Sequence, residues 1–390
     1  MKYIVTNFAY GTGPYLRTTE LAIAFNDEYE ARGFPRLPII VPWVYGDRQK
    51  IVMMQEFGAH AHKYPDEILL DATLGSILKS VFYTGRAAYE KTLAIWISQG
   101  ELASQQARTH LQGTITVENL FGVTANINGS DIVLEINRSP RLTYSVAPRY
   151  STTFGYVADI LEQSLAVGTS TIAVDPDLLR KGIALADKIE GEQDMHLMAY
   201  PGTFSWQGTS KVSRYADEIS VPPITSLPKP SVDVLDPGLY VTITGIEGLE
   251  RLYKEAEALG LKLYCNDAAS VPGSTFALPD SIGNGAISFQ FARAGWGSIW
   301  LSMFLAKPLV VPTYDPTDDP EIYFNNIAVR ELGIGHVYQN ESLTEILAMG
   351  EQIRAKQISL TQEIEKKFGS LDGNAYAANI FVDKFIKDTI

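Results

Sequence analysis

The chain has 390 residues, and its hydrophobic fraction of 46% and charged fraction of 20% are typical of a folded globular protein, which excludes a disordered or fibrous chain. Its formal net charge of −13 disfavours nucleic acid as a partner, because polyphosphate would be repelled. The single cysteine, Cys265, excludes an intrachain disulfide, and no apolar run reaches transmembrane length, so we expect a cytoplasmic protein.

The N-terminal segment predicts a strand, a glycine-rich turn and a helix. The strand covers Tyr3–Asn7, the turn contains Gly11, Thr12 and Gly13, and the helix runs over residues 16–31. We take Gly11, Thr12, Gly13 and Arg17 as candidates for an acceptor or phosphate loop. The plainer interpretation is a tight turn before a helix, with Pro14 near its start.

The pattern of strands alternating with helices continues along the chain. We expect strands at 38–44, 131–136 and 196–199, and helices at 88–112, 154–165 and 177–188. Five prolines between Val221 and Pro237 predict a linker. The pattern then restarts with a strand at 239–243, a turn containing Thr244 and Gly245, a helix at 249–259 and a strand at 261–265. A helical tail covers 343–368 and 375–386.

These elements predict an α/β protein with two doubly wound, Rossmann-like domains that face a cleft. The predicted boundaries are 1–225 for an N-terminal acceptor-side domain and 236–372 for a C-terminal nucleotide-sugar-binding domain. A tail helix at 373–390 is expected to return to the N-terminal domain.

The strongest local signal is the turn Arg293-Ala-Gly295-Trp296-Gly297-Ser298, between a predicted strand at 286–291 and a helix. Glycines let a diphosphate approach the backbone, and a helix N-terminus attracts negative charge. We expect Ser298 to cap the helix and Arg293 to pair with charge. Taken alone, the turn is equally well explained as a structural connection.

Two further segments carry polar side chains. The loop at 314–321 contains Asp318, Asp319 and Glu321 and leads to Asn325, so its carboxylates are candidates for holding sugar hydroxyls; a solvated loop is the plainer interpretation. His60 and His62 have the spacing of a metal pair on a strand, but the sequence offers no third ligand. We therefore expect no metal site and no cofactor.

Taken together, residues 286–337 resemble the donor-binding half of the GT-B glycosyltransferases, most closely the UDP-glycosyltransferases and the lipid-linked-peptidoglycan N-acetylglucosaminyltransferases. The shared pattern comprises Gly295-Trp-Gly-Ser298, Lys307-Pro308, Val310-Val-Pro312, Asp318-Asp-Pro-Glu321, Asn325-Asn326 and Gly333-Ile-Gly335. Two positions depart from the family. Leu301 stands where a glutamate is usual, and residues 9–17 hold no histidine, aspartate or glutamate.

The resemblance implies an enzyme that moves a sugar from a nucleotide-diphosphate sugar, UDP-linked, to an acceptor hydroxyl, with inversion and without a metal. It assigns the donor to Thr244, Gly245, Arg293, Gly295–Ser298, Asp318, Asp319, Glu321 and Asn325. Inversion needs a general base, for which Glu20, Glu56, His60 and Glu135 are candidates.

Several alternatives stay open. A retaining path needs no such base. A nucleotide-sugar 2-epimerase has the same architecture, and a catalytically silent nucleotide-sugar-binding protein would fit both departures. The implied partners are the donor and a small-molecule or lipid acceptor, the latter with peripheral membrane contact. The sequence does not identify the donor sugar, the acceptor or the oligomeric state.

Overall fold

The computed structural model describes residues 1–81, 88–200, 213–225, 227–228, 231, 234–242, 250–266 and 271–389. The chain divides into two compact units, with crossings between residues 226 and 227 and between residues 371 and 372. The first unit contains the strands β1–β9 and the helices α1–α6 and α12. The second unit contains β10–β15 and α7–α11.

The first unit is built on one sheet with the strand order β5-β4-β3-β2-β1-β6-β7-β8-β9. Its strands are β1 (Tyr3–Phe8), β2 (Ile39–Pro42), β3 (Ile68–Asp71), β4 (Thr114–Asn119), β5 (Thr124–Asn128), β6 (Ile132–Arg138), β7 (Arg149–Thr153), β8 (Met195–Ala199) and β9 (Glu218–Val221). All neighbours are parallel except in the β3–β4 and β4–β5 pairs, so β4 and β5 form an antiparallel hairpin at one edge. The order reverses between β1 and β6, which is the topological switch point of a doubly wound sheet.

Helices connect these strands. They are α1 (Thr12–Ala31), α2 (Asp47–Lys63), α3 (Ala72–Lys79), α4 (Tyr89–Leu111), α5 (Val157–Val167) and α6 (Pro176–Gly191). The central strands β1 and β2 are buried along their whole length, as expected for parallel strands covered on both faces.

The second unit has a wholly parallel sheet with the order β12-β11-β10-β13-β14-β15. Its strands are β10 (Gly238–Val241), β11 (Lys262–Cys265), β12 (Thr275–Phe276), β13 (Ile287–Phe291), β14 (Leu309–Val311) and β15 (Gly335–Val337), and its helices are α7 (Glu250–Ala258), α8 (Trp296–Phe304), α9 (Pro320–Leu332), α10 (Leu343–Ala348) and α11 (Gly350–Phe368). The order again reverses once, between β10 and β13. The predicted fold class, two doubly wound α/β domains, is confirmed.

The last helix, α12 (Gly373–Thr389), packs in the first unit against α1. The ring of Phe385 lies 5.6 Å from Phe25 and 5.7 Å from Tyr29, centroid to centroid, and Arg32 pairs with Asp383. The helix begins at Gly373, where a Cβ would lie 2.1 Å from the carbonyl oxygen of Pro223. Only a glycine allows this close approach.

Two details differ from the sequence predictions. His60 and His62 lie on helix α2 rather than on a strand, and residues two apart on a helix point in different directions. The predicted helix over 343–368 is two helices, α10 and α11, which meet at Met349. No helix in the described ranges is long and apolar enough to cross a bilayer.

Candidate functional site

The glycine-rich turn of the second unit follows β13 at the switch point beside β10. The backbone N–H of Thr242, just after β10, donates to the carbonyl of Phe291, the last residue of β13, at 2.8 Å. Gln290 donates through Nε2 to the Thr242 hydroxyl at 2.8 Å, and Ser302 of α8 hydrogen-bonds to Gln290. The carboxyl ends of both strands and helix α8 are therefore fixed together where a doubly wound sheet binds its ligand.

The start of α8 is open. Gly295 is the N-cap residue and offers no side-chain cap. A Cβ on Gly295 or on Gly297 would meet no atom of the described residues within 4 Å, and neither residue has a positive φ. Packing against the described residues and backbone conformation therefore do not require these glycines, and a larger group could approach the first turn of α8 at both positions. Ser298 is the third residue of the helix, so the prediction that it caps α8 is wrong.

The acidic loop reaches this turn through one ion pair. Arg293, which follows β13, contacts both carboxylate oxygens of Asp318, with Nε 3.2 Å from Oδ2 and Nη2 2.5 Å from Oδ1. Asp319 caps α9, since its side chain accepts from the N–H of Glu321 at 3.0 Å. The guanidinium of Arg293 is thus paired within the protein, and all three predicted sugar-binding carboxylates have partners in the structure, since Glu321 accepts from Asn325.

Asn325 connects α9 to the same turn. Its Nδ2 donates to the carbonyl of Ala294 at 2.6 Å and to Glu321 Oε1 at 3.1 Å. Its Oδ1 is buried and has no hydrogen-bond partner within the described part of the chain. A buried acceptor without a donor is unfavourable, so this oxygen is a polar group available to a donor brought by a ligand.

Other residues of the same sequence pattern have structural roles. Gly333 adopts φ +68° and ends α9, and a Cβ on Gly335 would lie 2.7 Å from Val329. Lys307 donates to two backbone carbonyls, which fixes the segment before β14. Leu301 packs against an apolar cluster that includes Tyr240, where a glutamate would lie in apolar surroundings.

In the first unit, the backbone conformation and the N–H group of Gly11 hold the turn after β1 in place. Gly11 has φ +116°, which side chains disfavour, and its N–H donates to the Tyr45 hydroxyl at 2.9 Å. Among the described ranges nothing lies within 4 Å of a Cβ placed on Gly13, and Thr12 begins α1. Arg17 pairs with Glu20 at 2.8 Å and Glu56 at 3.2 Å.

The structure does not bring the predicted catalytic residues together. Glu20 lies on α1, about 12 Å along the helix from Thr12, in the ion pair with Arg17. His60 lies near the end of α2, 3.4 Å from Glu67. Glu135 is 0% exposed in β6 and accepts from Asn7 and from the Ser145 N–H. Its burial raises the pKa to about 7.

One carboxylate at the carboxyl edge of the first sheet was not found from the sequence. Asp47 is exposed and is the first residue of α2, directly after β2 and the turn containing Tyr45. The sequence signal for this residue is the strand at 39–42 followed by a turn and a helix that begins at Asp47. Among the described residues no group of three or more His, Cys, Asp or Glu side chains could hold a metal ion. Thr244 and Gly245 lie outside the described residues.

The strand orders, the two switch points and the open turn before α8 define the GT-B fold of glycosyltransferases. Solved structures with this fold match nearly the whole chain. The glycosyltransferase SnogD from Streptomyces nogalater aligns with a TM-score of 0.60 and 11% identity over 98% of this chain and 99% of that chain.

Two plant structures are similar to the same extent. UGT2 of Phytolacca americana, complexed with UDP-2fluoro-glucose and pterostilbene, aligns with a TM-score of 0.59 and 11% identity over 98% of this chain and 99% of that chain. A UDP-glucosyltransferase from Polygonum tinctorium that glucosylates indoxyl aligns with a TM-score of 0.61 and 10% identity over 99% and 98%. No family model and no curated protein matches the sequence. At this identity the likeness establishes the fold.

Proposed function

We propose that this protein is a glycosyltransferase that moves a sugar from a UDP-linked donor to an acceptor hydroxyl. The observation that carries the proposal is the open space over Gly295 and Gly297 at the N-terminus of α8, located at the switch point of the second sheet. The diphosphate would accept hydrogen bonds from the first-turn N–H groups of Trp296, Gly297 and Ser298. Three structural neighbours are described as bound to UDP or a UDP-sugar analogue, which supports this choice of donor.

The chemistry follows from charge. Cleavage of the sugar–phosphate bond leaves negative charge on the departing diphosphate and positive charge on the sugar. The helix dipole, the backbone donors and the Ser298 hydroxyl would stabilise the leaving group with dipoles already in position, without a metal. Asp319 and Glu321 would face the sugar hydroxyls, while Asp318 keeps Arg293 in place.

Inversion would need a base at the acceptor side. We add Asp47 to Glu20, Glu56, His60 and Glu135, because it is an exposed carboxylate at the carboxyl edge of the first sheet. A base must reach the proton that it removes, and the burial of Glu135 prevents this in the structure described. If Asp47 is the base, Asp47→Asn should lower kcat by about 100-fold or more and leave the affinity for UDP unchanged.

The test starts with the donor. UDP, GDP, dTDP and their sugar conjugates are titrated calorimetrically, and the best donor is then incubated with and without a panel of hydroxylated acceptors. Transfer to an acceptor supports the proposal. Conversion of the donor sugar into another sugar in the incubation without acceptor identifies an epimerase. A protein that binds the donor but neither transfers nor slowly hydrolyses it is a silent binder. If no nucleotide binds at millimolar concentration, the proposal is wrong.

A further inference from the structure

A small pocket lies at the switch point of the first sheet. One wall follows β1, another follows β6, and the remainder comes from Val81 and the first two turns of α4. The lining residues are Tyr10, Val81, Tyr89, Thr92, Leu93, Trp96 and Arg141, and they enclose about 50 Å³. Doubly wound sheets bind their ligands at this position, so the pocket belongs to the acceptor side of the proposed reaction.

Arg141 is the only cation among the lining residues, all of which lie in the described part of the chain. Its guanidinium carbon lies 5.2 Å from the centre of the Trp96 ring, and Trp96 Nε1 donates to the Arg141 carbonyl at 2.7 Å. These two contacts fix both the backbone and the side chain. The Nη1 atom is nevertheless buried and has no hydrogen-bond partner among the described residues.

No carboxylate compensates this charge by direct contact within the described residues. Glu190 interacts with Arg141 electrostatically, but its two oxygens accept from the N–H groups of Val157 at 2.6 Å and Ala158 at 3.2 Å. Burial raises the pKa of Glu190 to about 7, so near neutral pH it carries only part of a negative charge. A buried guanidinium nitrogen without an acceptor is unfavourable, and a bound anion would remove that penalty.

A larger groove of about 360 Å³ between α4 and α6 is a weaker candidate. Its cations already have partners, because Lys188 pairs with Glu101 at 2.7 Å and Arg108 pairs with Glu192 at 3.0 Å. Among its described lining residues, the groove therefore offers no unpaired cation to a ligand. The smaller pocket offers one, Arg141.

We propose that the pocket at Arg141 anchors a carboxylate of the acceptor, so that the enzyme prefers hydroxylated aromatic acids. This inference rests on the proposed glycosyltransferase function. A planar carboxylate matches the guanidinium and fits the small volume, which a whole ring does not. The aromatic body of the acceptor would lie over Tyr10, which is 43% exposed and whose ring centre is 6.4 Å from that of Tyr45.

The test compares acids with their uncharged analogues. We would titrate 4-hydroxybenzoate, 4-hydroxyphenylacetate and 4-hydroxycinnamate, and the methyl ester of each, into the full chain by calorimetry. The wild type should bind at least one acid about 10- to 100-fold more tightly than its ester, as expected for a hydrogen bond to a charged group. Arg141→Met keeps the length of the side chain and should abolish this preference. Lys188→Gln removes a cation from the larger groove and should preserve it.

Arg141→Lys provides a second variant that retains the charge if Arg141→Met does not fold, and its preference for acids should be intermediate. Equal binding of acid and ester to the wild type, a preference that survives in Arg141→Met, or no binding of any acid at millimolar concentration would each overturn the inference. UDP is titrated into the same proteins. UDP binding should be unaffected by Arg141→Met. If the wild type does not bind UDP, the proposed function is contradicted, and not only the acceptor preference.

Discussion

The substitution Gly297→Val tests the donor site most directly. Gly297 is the second residue of α8, and within the part of the chain that the structure describes a Cβ there would meet no atom within 4 Å. Valine is also a slightly better helix former than glycine, so the free energy of unfolding should change by less than about 1 kcal/mol. Its two methyl groups would occupy the space that a phosphate needs next to the N–H groups.

The expected loss of affinity follows from the contacts removed. Hydrogen bonds to a charged group contribute about 1.5–3 kcal/mol each, so losing two of them weakens UDP binding by roughly 100-fold or more. Calorimetric titration of UDP measures the affinity, and urea unfolding of the same samples measures the stability. Gly297→Ala, with a single methyl group, should give a smaller loss of affinity. A folded Gly297→Val protein with the UDP affinity of the wild type would refute the assignment of the diphosphate to this turn.

Three further predictions use single substitutions. Ser298→Ala should weaken UDP binding by about 1.5–3 kcal/mol, the contribution of one hydrogen bond to a charged group, and an unchanged dissociation constant would exclude a phosphate contact. Gly335→Ala should lower the free energy of unfolding by about 1–3 kcal/mol, because the Cβ would lie 2.7 Å from Val329; urea unfolding checks this, with Gly297→Ala as the control that should keep its stability. The pKa of Glu135 in the folded state is raised from 4.5 to about 7. The stabilisation that its protonated form gives to the folded protein is therefore fully present below about pH 4.5 and is lost as the pH rises through 7. The difference in unfolding free energy between wild type and Glu135→Gln should therefore change by about 3 kcal/mol between pH 4.5 and 8, and a pH-independent difference would contradict the assignment.

The fold could be predicted because the central strands and the turns that follow them have strong local signals. The apolar run at β1, the glycines at 11 and 13, and the strand–turn–helix at 287–304 all follow from hydrophobic pattern and glycine position. Helix α2 and the hairpin β4–β5 were not predicted. The hairpin lies at the sheet edge, where an exposed and polar strand such as β5 has little apolar alternation.

The sequence predicts a location for the donor site, but not which contacts its side chains make. Glycine spacing identified the turn before α8, but not that Arg293 would be paired with Asp318, because that contact joins segments 25 residues apart. The surroundings of Arg141 depend on three separate segments that meet only in the folded sheet. Sequence spacing carries no information on such a meeting, since it arises from the strand order.

The return of α12 to α1 has a consequence for how the protein is made. The first unit is assembled from two segments of chain that the second unit separates, and the rings of Phe25, Tyr29 and Tyr150 complete their packing only when Phe385 and Phe381 of α12 arrive. During synthesis on the ribosome this surface stays uncovered until the second unit has been translated. The nascent first unit is then a natural client for chaperones, and its final closure depends on a contact between residues more than 300 positions apart, which is slow to form.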